Sequence, residues 1–466
     1  MKSTVKRILC MILTLALVFG ISACGDSGNS ANPTKNPTKG NSNGEDGTNS
    51  SLKIKYFTPD SKGENGKDYS DYDPYANAKK YEGTTVKFAT WLDHQSTEGA
   101  KPINDFADKY GINVELVFCS QAGYIEEILA LIASGNSPDV FVENMTYPMI
   151  LQIAQDISCT GLDLNEPIWD KQSMNACSVG NKTYAINTVN NIWGGLYCVI
   201  YNRELMETNG IKTPQEYYEE GNWTWETMEE CMSQVNALGD DYYGGSIPDT
   251  GNLLASLGGG IVDYDYKSGK FTNTLNNSST IKVMQYVANL QKKNLLTNQE
   301  DFSLGRVGII VKDPYGLKKI GYFRTMDGLD LGATYLPAPD ANTPAGYGAG
   351  TRSYGIVKGS KNPEAAGLFL RYFLDAANYD LEDAFISIDA GNYYFESLEK
   401  AYNDRETNPI KFNYMTIGNM IGQSSWGWAG ISKDADASQV ATIIASRDNL
   451  CETAVAKANE LTAKMK

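Results

Sequence analysis

Residues 84–144, TTVKFATWLDHQSTEGAKPINDFADKYGINVELVFCSQAGYIEEILALIASGNSPDVFVEN, decide the fold class. Between Thr85 and Trp91, Val86 and Phe88 alternate with polar residues, the period of a strand with one buried face. Ile103, Phe106, Ala107 and Tyr110 then recur at helical spacing, and Ile112, Val114, Leu116 and Phe118 alternate again. Ile125, Ile128, Leu129 and Ile132 mark a second helix, with Gly135 just past it where a helix stops. Val140-Phe141-Val142 is a short apolar strand. Strand, helix, strand, helix, strand describes an α/β fold with a parallel sheet covered by helices, since parallel strands need crossover connections.

Downstream, Tyr197 to Tyr201 is a second apolar strand, and helical patterns occupy 224–238 and 280–293. Asn362-Pro363 predicts another helix, with a capping residue and then Pro in the first turn. Its apolar positions Ala366, Phe369, Leu370, Phe373 and Leu374 share one side, and 438–463 also reads as helix. No internal repeat is present. Upstream, 52–83 is rich in Tyr and Asp and is either a linker or an ordered extension packed on the body. Residues 24–51, mostly Gly, Ser, Asn, Pro and Thr, cannot bury enough apolar area to fold and predict a flexible tether.

The chain opens with Lys2, Lys6 and Arg7, a mostly apolar run from Ile8 to Ile21, and then Ser22-Ala23-Cys24. That order describes a secretory signal over 1–23. An uncleaved anchor is the alternative, but a span needs roughly 20 apolar residues and this run is shorter. A Cys directly after small residues resembles the bacterial lipobox. The resemblance implies lipid on Cys24 and a protein tethered to the outer face of the cell membrane; otherwise Cys24 is incidental to plain secretion.

The 466 residues suffice for two or three domains. A formal charge of −16, more negative once the basic head is removed, argues against nucleic acid and against docking on anionic lipid. Of eight cysteines, Cys10 belongs to the signal and Cys24 to the lipid site. The remaining Cys119, Cys159, Cys177, Cys198, Cys231 and Cys451 are scattered without a CxxC, and predict mostly free thiols with room for one or two disulfides. With His94 as the one histidine, HExxH zinc chemistry is excluded, and no GxSxG elbow accompanies it. No metal or other cofactor is indicated. A pair of catalytic carboxylates stays open.

Several segments, in order, resemble family 1 extracellular solute-binding proteins of ABC importers. Leu131 to Phe141, containing Ala133-Ser134-Gly135 and Pro138-Asp139-Val140, is similar to the family's "ASGxxPDV" passage. Tyr184-Ala185-Ile186-Asn187 followed by Val199 to Leu205 resembles its crossover, and Trp223 to Met228 its "TWdel" helix start. Phe302 to Val311 and Gly355 to Phe373 resemble its "F…GkvaM" and "SKnpEaA" stretches. The likeness runs from about residue 84 to the end. It implies a two-lobe periplasmic-binding-protein-like α/β fold, with a ligand cleft between lobes joined by a hinge crossed more than once. One lobe would hold 84–189 and 302–356, the other 190–301 and 357–466.

Parallel α/β sheets bind ligands beyond the C-terminal ends of their strands. Trp91 ends the first strand and Asn144 and Tyr147 follow the third, so all three are candidates; for Trp91 the alternative is a core or rim aromatic. Asp93 and His94 share the loop after Trp91, and His94 is predicted to be a surface loop residue at least as readily as a ligand contact. Asn190, Asn191 and Trp193 precede Gly194-Gly195 near the crossover, as ligand contacts or as a hinge turn. The resemblance places Asp313-Pro314-Tyr315 at a turn lining the cleft. Tyr347 and Arg352 lie in a glycine-rich return strand that approaches the cleft. Trp426 and Trp428, separated by Gly427 and beside other small residues, are the sharpest ligand candidates of the second lobe, with the Leu257-Gly258-Gly259-Gly260 loop near them.

Flat aromatic faces beside Asn, Asp and Arg suit a sugar, whose CH faces pack on rings while its hydroxyls need fixed partners. Taken with the family and lipobox resemblances, which imply hand-over to an ABC permease and a lipid anchor, the expected function is a lipid-anchored, monomeric binding protein that captures a mono- or oligosaccharide. The alternatives are a non-sugar solute (a peptide, polyamine or anion), a surface glycosidase using two carboxylates, and an adhesion or sensor role.

Overall fold

The alternation around Val86 and Phe88 becomes β1 (Thr85–Thr90), followed by α1 (Ala100–Tyr110), β2 (Asn113–Phe118), α2 (Tyr124–Ala133) and β3 (Val140–Asn144). The computed structural model describes residues 53–297, 299–319, 329–421 and 436–466. β1 pairs in parallel with β2 along its whole length and with β3 at Phe88. Ile103 and Phe106 are buried positions of α1, as Ile125 and Ile128 are of α2, so the helical spacing marks the buried stripes. Gly135 follows α2 at φ +74°, a left-handed conformation that a Cβ would disfavour.

Further along come β4 (Cys198–Asn202), α3 (Trp225–Asn236), β5 (Tyr243–Ser246), α4 (Ser278–Lys292), β6 (Val307–Lys312), β7 (Leu331–Thr334), β8 (Gly348–Gly350) and β9 (Arg352–Val357). The chain ends with α5 (Pro363–Phe373), α6 (Ile388–Asp404), β10 (Lys411–Asn413) and α7 (Val440–Ala463). α3 begins in a capping box between Thr224 and Thr227, which satisfies amide groups that the first helical turn leaves unpaired. Asn362 stands at the N-cap position of α5 but its side chain makes no capping hydrogen bond: its Nδ2 donates instead to the Thr85 carbonyl (3.3 Å).

Two sheets organise the body. The first runs β2-β1-β3-β9, with Ala154–Gln155 at its edge; the second runs β7-β4-β6-β5. Both are mixed rather than fully parallel, because β9 returns antiparallel to β3 and β6 antiparallel to β4. This pairing corrects the expected allotment of segments. β6 and β7 were to join 84–189, yet both pair with β4 in the second sheet. The reason is visible in β6, whose six residues are all buried at the centre of that sheet. α5 was expected with the second lobe but packs on the first sheet, its Phe369 and Phe373 rings 5.8 and 5.6 Å from Phe88.

Bridges Ile186↔Tyr354 and Leu196↔Ala349 lay the segments that pass between the sheets side by side, and β10 pairs with β8 beside them. Residues 53–83 lie on the body. Ile54 is buried against Gly391, where a Cβ would sit 2.4 Å from its Cδ1. Phe57 packs on Tyr402 (5.1 Å), so this end follows α6. Tyr69 donates its hydroxyl to Asp163 (2.8 Å), and Tyr75 stacks on Tyr110 (4.9 Å), so the other end follows the first-sheet half. The six described cysteines are free thiols, five of them buried. Among the described residues no helix is long and apolar enough to cross a membrane.

Candidate functional site

Each sheet contributes to one cavity. β9 pairs with β3 so that Arg352 stands opposite Asn144 and Tyr354 opposite Val142; directly opposed residues share a face. The end of β1 supplies Trp91, whose ring meets Tyr124 edge-on at 4.9 Å. From the second sheet, β6 runs into Asp313-Pro314-Tyr315. Asp313 accepts the Tyr315 N–H (3.0 Å) and so caps the short turn Pro314–Leu317. Its carboxylate also lies 3.4 Å from the Arg352 guanidinium, which in turn sits 5.5 Å from the centre of the Tyr315 ring. The segment between the sheets brings in Trp193. Trp91, Asn144, Trp193, Tyr315 and Arg352 thus line a cavity of about 220 Å³.

Trp193 is the floor, and its support is built from residues that sequence reasoning missed or misread. Its indole lies parallel to Phe373 (5.8 Å, 11°), receives the edge of His94 (4.9 Å) and donates Nε1–H to Tyr379 Oη (2.9 Å). The Lys318 ammonium stands 4.1 Å from the ring centre and pairs with Glu98 at 3.2 Å; these two side chains are 1% and 2% exposed. Burial pushes Lys318 down to about 8, while Glu98 holds it up. Both members sit far from Trp193 in sequence, and no local pattern announces such a pair.

His94 is not the predicted surface loop residue. It is fully buried, stacked on Phe88 at 5.2 Å, and neither ring nitrogen has a hydrogen-bond partner. Burial drives its pKa down to about 3, with Lys318 acting in the same direction. Gly99 is the signal that tight packing leaves in the sequence, since a Cβ there would fall 3.0 Å from His94 Nδ1. Glu143 is buried next to the cavity, but its side chain shares a sheet face with Ser353, opposite to that of Asn144. Its Oε1 accepts from the Thr146 N–H (2.7 Å), the Tyr147 N–H (3.0 Å) and the Thr351 hydroxyl (3.0 Å). Burial nevertheless pushes its pKa up to about 8.

Four candidates are not brought to this cavity. Tyr147 is core, 1% exposed, its hydroxyl on the Ser178 carbonyl (3.0 Å) and on Tyr264 Oη (2.7 Å). Asn190 is a joint: it donates to Asp375 (3.3 Å) and accepts from the Ala376 N–H (3.4 Å). Exposed Asp93 caps its own loop by accepting the Gln95 N–H (3.2 Å). Tyr347 is buried against Asp404 (2.6 Å) and faces a different cavity. Gly259 and Gly260 line a third, beside Asp263 and Tyr264. Trp426, Trp428 and Cys24 lie outside the described residues. Among the described residues, no group of three His, Cys, Asp or Glu side chains is placed to hold a metal ion.

Solved structures share this architecture. UgpB from Mycobacterium tuberculosis, in complex with glycerophosphocholine, is 16% identical with a TM-score of 0.59, over 80% of this chain and 99% of that one. GL-BP, the galacto-N-biose-/lacto-N-biose I-binding protein of the ABC transporter from Bifidobacterium longum, is 15% identical with a TM-score of 0.57, over 80% and 98%. The GacH receptor of Streptomyces glaucescens is 17% identical with a TM-score of 0.55, over 82% and 98%. At these identities the likeness is one of fold, the two-lobe α/β arrangement of periplasmic binding proteins. No curated protein sequence matches the chain. Residues 93–380, more than half of the 466, match the family described as bacterial extracellular solute-binding protein. With its two sheets, the segments that cross between them and a cavity lined from both, the chain belongs to that family.

Proposed function

We propose that the protein captures a neutral carbohydrate, a mono- or oligosaccharide, in the cavity lined by Trp91, Trp193 and Tyr315, and delivers it to an ABC permease. The observation that carries this reading is the meeting of three aromatic rings with Asn144 and Arg352 at the ends of β1, β3 and β6. The rings offer faces to a pyranose, and the amide and guanidinium offer fixed partners to its hydroxyls. Asp313 already balances the Arg352 charge, which favours a neutral ligand over an anion. Among the described residues Glu143 is the one carboxylate residue on the cavity lining and is engaged with backbone amides, whereas glycoside hydrolysis uses a pair flanking the bond. GL-BP and GacH were solved with lacto-N-biose and with acarbose, which agrees with this choice.

A panel of mono- to tetrasaccharides, read by thermal shift and by product analysis, tests the reading. A cognate sugar at 100 times its Kd is expected to add about 2.7 kcal/mol of stability without being turned over. Turnover would make the protein an enzyme, and a flat panel would remove the carbohydrate assignment. The signal-like head and Ser22-Ala23-Cys24 support an anchor on the outer face of the membrane through lipid on Cys24. Cys24→Ala is then expected to move the protein from the membrane fraction to the medium; retention in the membrane would contradict the anchor.

A further inference from the structure

The segments that pass between the sheets have two sides. Along β8, a Cβ on Gly348 would meet Ala255 and Tyr197, and one on Gly350 would meet Met145 and Tyr197. The alternate residues Tyr347 and Ala349 pack instead with Leu196 and Ala401 of α6. On that second side lies a cavity of about 460 Å³, roughly twice the volume of the one that holds Trp193, and none of its lining residues is shared with it. Tyr218, Trp223, Tyr335, Tyr347, Lys400 and Asp404 are among its walls.

The chemistry of these walls is specific. The Tyr218 and Tyr335 rings are half-buried and lie over one another, 4.8 Å apart at 31°, so a stacked aromatic pair stands in the wall. Trp223 donates Nε1–H to the Tyr335 carbonyl (2.8 Å), which fixes the indole and leaves no unpaired donor on it. Asp404 receives the Tyr347 hydroxyl (2.6 Å) and the Lys400 ammonium (3.2 Å) on one oxygen. The remaining acid, Asp340, turns into its own loop to accept the Asn342 N–H (3.0 Å). Lys400 is thus matched by Asp404 within the wall, and Asp340, the second carboxylate, is exposed to solvent and engaged by its own loop, so no buried unpaired charge faces the cavity. Aromatic rings next to donors and acceptors with no buried unpaired charge call for a ligand with apolar faces and hydroxyl edges.

We infer that this cavity is a second carbohydrate site, for a neutral mono- or disaccharide, separate from the cleft. It does not depend on the cleft assignment, since it stands on its own residues. Its occupant would rest on Leu196 and Tyr347, within the strands that link the two sheets.

Calorimetric titration of the full chain with glucose, galactose, maltose, lactose and cellobiose tests the inference on three proteins. These are the wild type, a cleft variant carrying Trp91→Ala and Tyr315→Ala, and Ala341→Trp. Ala341 lies on the exposed loop at the cavity wall, so the larger ring fills the space without removing a buried group. At least one probe is expected to keep binding the cleft variant and to bind Ala341→Trp at least tenfold more weakly, with the melting temperature of Ala341→Trp unchanged. Loss of all binding in the cleft variant, or probe binding that Ala341→Trp leaves untouched, would overturn the second site while leaving the cleft in place. Binding weakened only by Ala341→Trp and identical in the cleft variant would uphold the second site and count against the cleft.

Discussion

Glu98→Gln is expected to destabilise the protein by about 3–5 kcal/mol, because it leaves the Lys318 ammonium buried without its counter-charge. The pair is 3.2 Å long and both side chains are almost fully enclosed. Attraction across such a pair roughly offsets the cost of taking both charges out of water, so removing one partner exposes the whole cost of the other. The effect should reach the cleft, since Lys318 lies against Trp193. The double variant Glu98→Leu/Lys318→Met, which removes both charges and keeps the volume, should recover most of the lost stability. Urea unfolding of the three variants measures this. A loss below 1 kcal/mol for Glu98→Gln, or no recovery in the double variant, would show that the pair is not held as described.

A second large effect lies in the dependence of stability on pH. His94 has a folded pKa lowered to about 3, whereas the unfolded chain takes up its proton near the ordinary 6.5. Between these values the unfolded state binds more protons, so the His94 contribution falls as pH drops from 6.5 toward 3. Glu143 behaves oppositely. Its folded pKa is raised to about 8, against 4.5 ordinarily, so the folded state binds more protons between them and stability falls as pH rises through that window. Each swing is on the order of 5 kcal/mol in full. Where the windows overlap, the two slopes oppose each other, and from about 6.5 to 8 Glu143 acts alone. Glu143→Gln, which keeps an oxygen for the Thr146 and Tyr147 amides, should flatten the alkaline decline. His94→Phe should flatten the acid one. Unfolding free energies from pH 4 to 9 check both, and unchanged slopes in either variant would contradict the assigned group.

Much of the fold was legible because its elements carry their own period. Val86 and Phe88 set β1, Ile103 and Phe106 set α1, and the 438–463 pattern became α7. The mode of pairing was not legible. β6 reads as an apolar run whichever sheet receives it, and only its hydrogen bonds to β4 show which one does. α5 likewise has an apolar stripe that fits either half, and Phe88 and Phe106 decide the matter. In residues 53–83 the aromatic residues signalled surface to be buried, but not that Ile54 and Phe57 follow α6 while Tyr69 and Tyr75 follow the first-sheet half.

The cavity was legible where strand ends announced it. Trp91, Asn144 and Arg352 meet because β1, β3 and β9 place them there. Tyr147 follows the same strand yet turns into the core, where Tyr264 meets its hydroxyl. Nothing in the spacing distinguishes these two fates, because the turn after β3 is shaped by Glu143 accepting backbone amides. The support under Trp193 was invisible for a related reason: His94 and Glu98 come from the stretch after β1, while Lys318 and Phe373 come from two segments far away in sequence.

The central claim is that a carbohydrate is held on the aromatic faces at the strand ends, and Trp91 tests it most directly, being half-buried at the rim rather than part of the floor. The measurement is the affinity of the cognate sugar for wild type and Trp91→Ala, with the melting temperature of each. A loss of about 1–3 kcal/mol in binding with near-normal melting is the expected result. Equal affinity in the two proteins would contradict the claim.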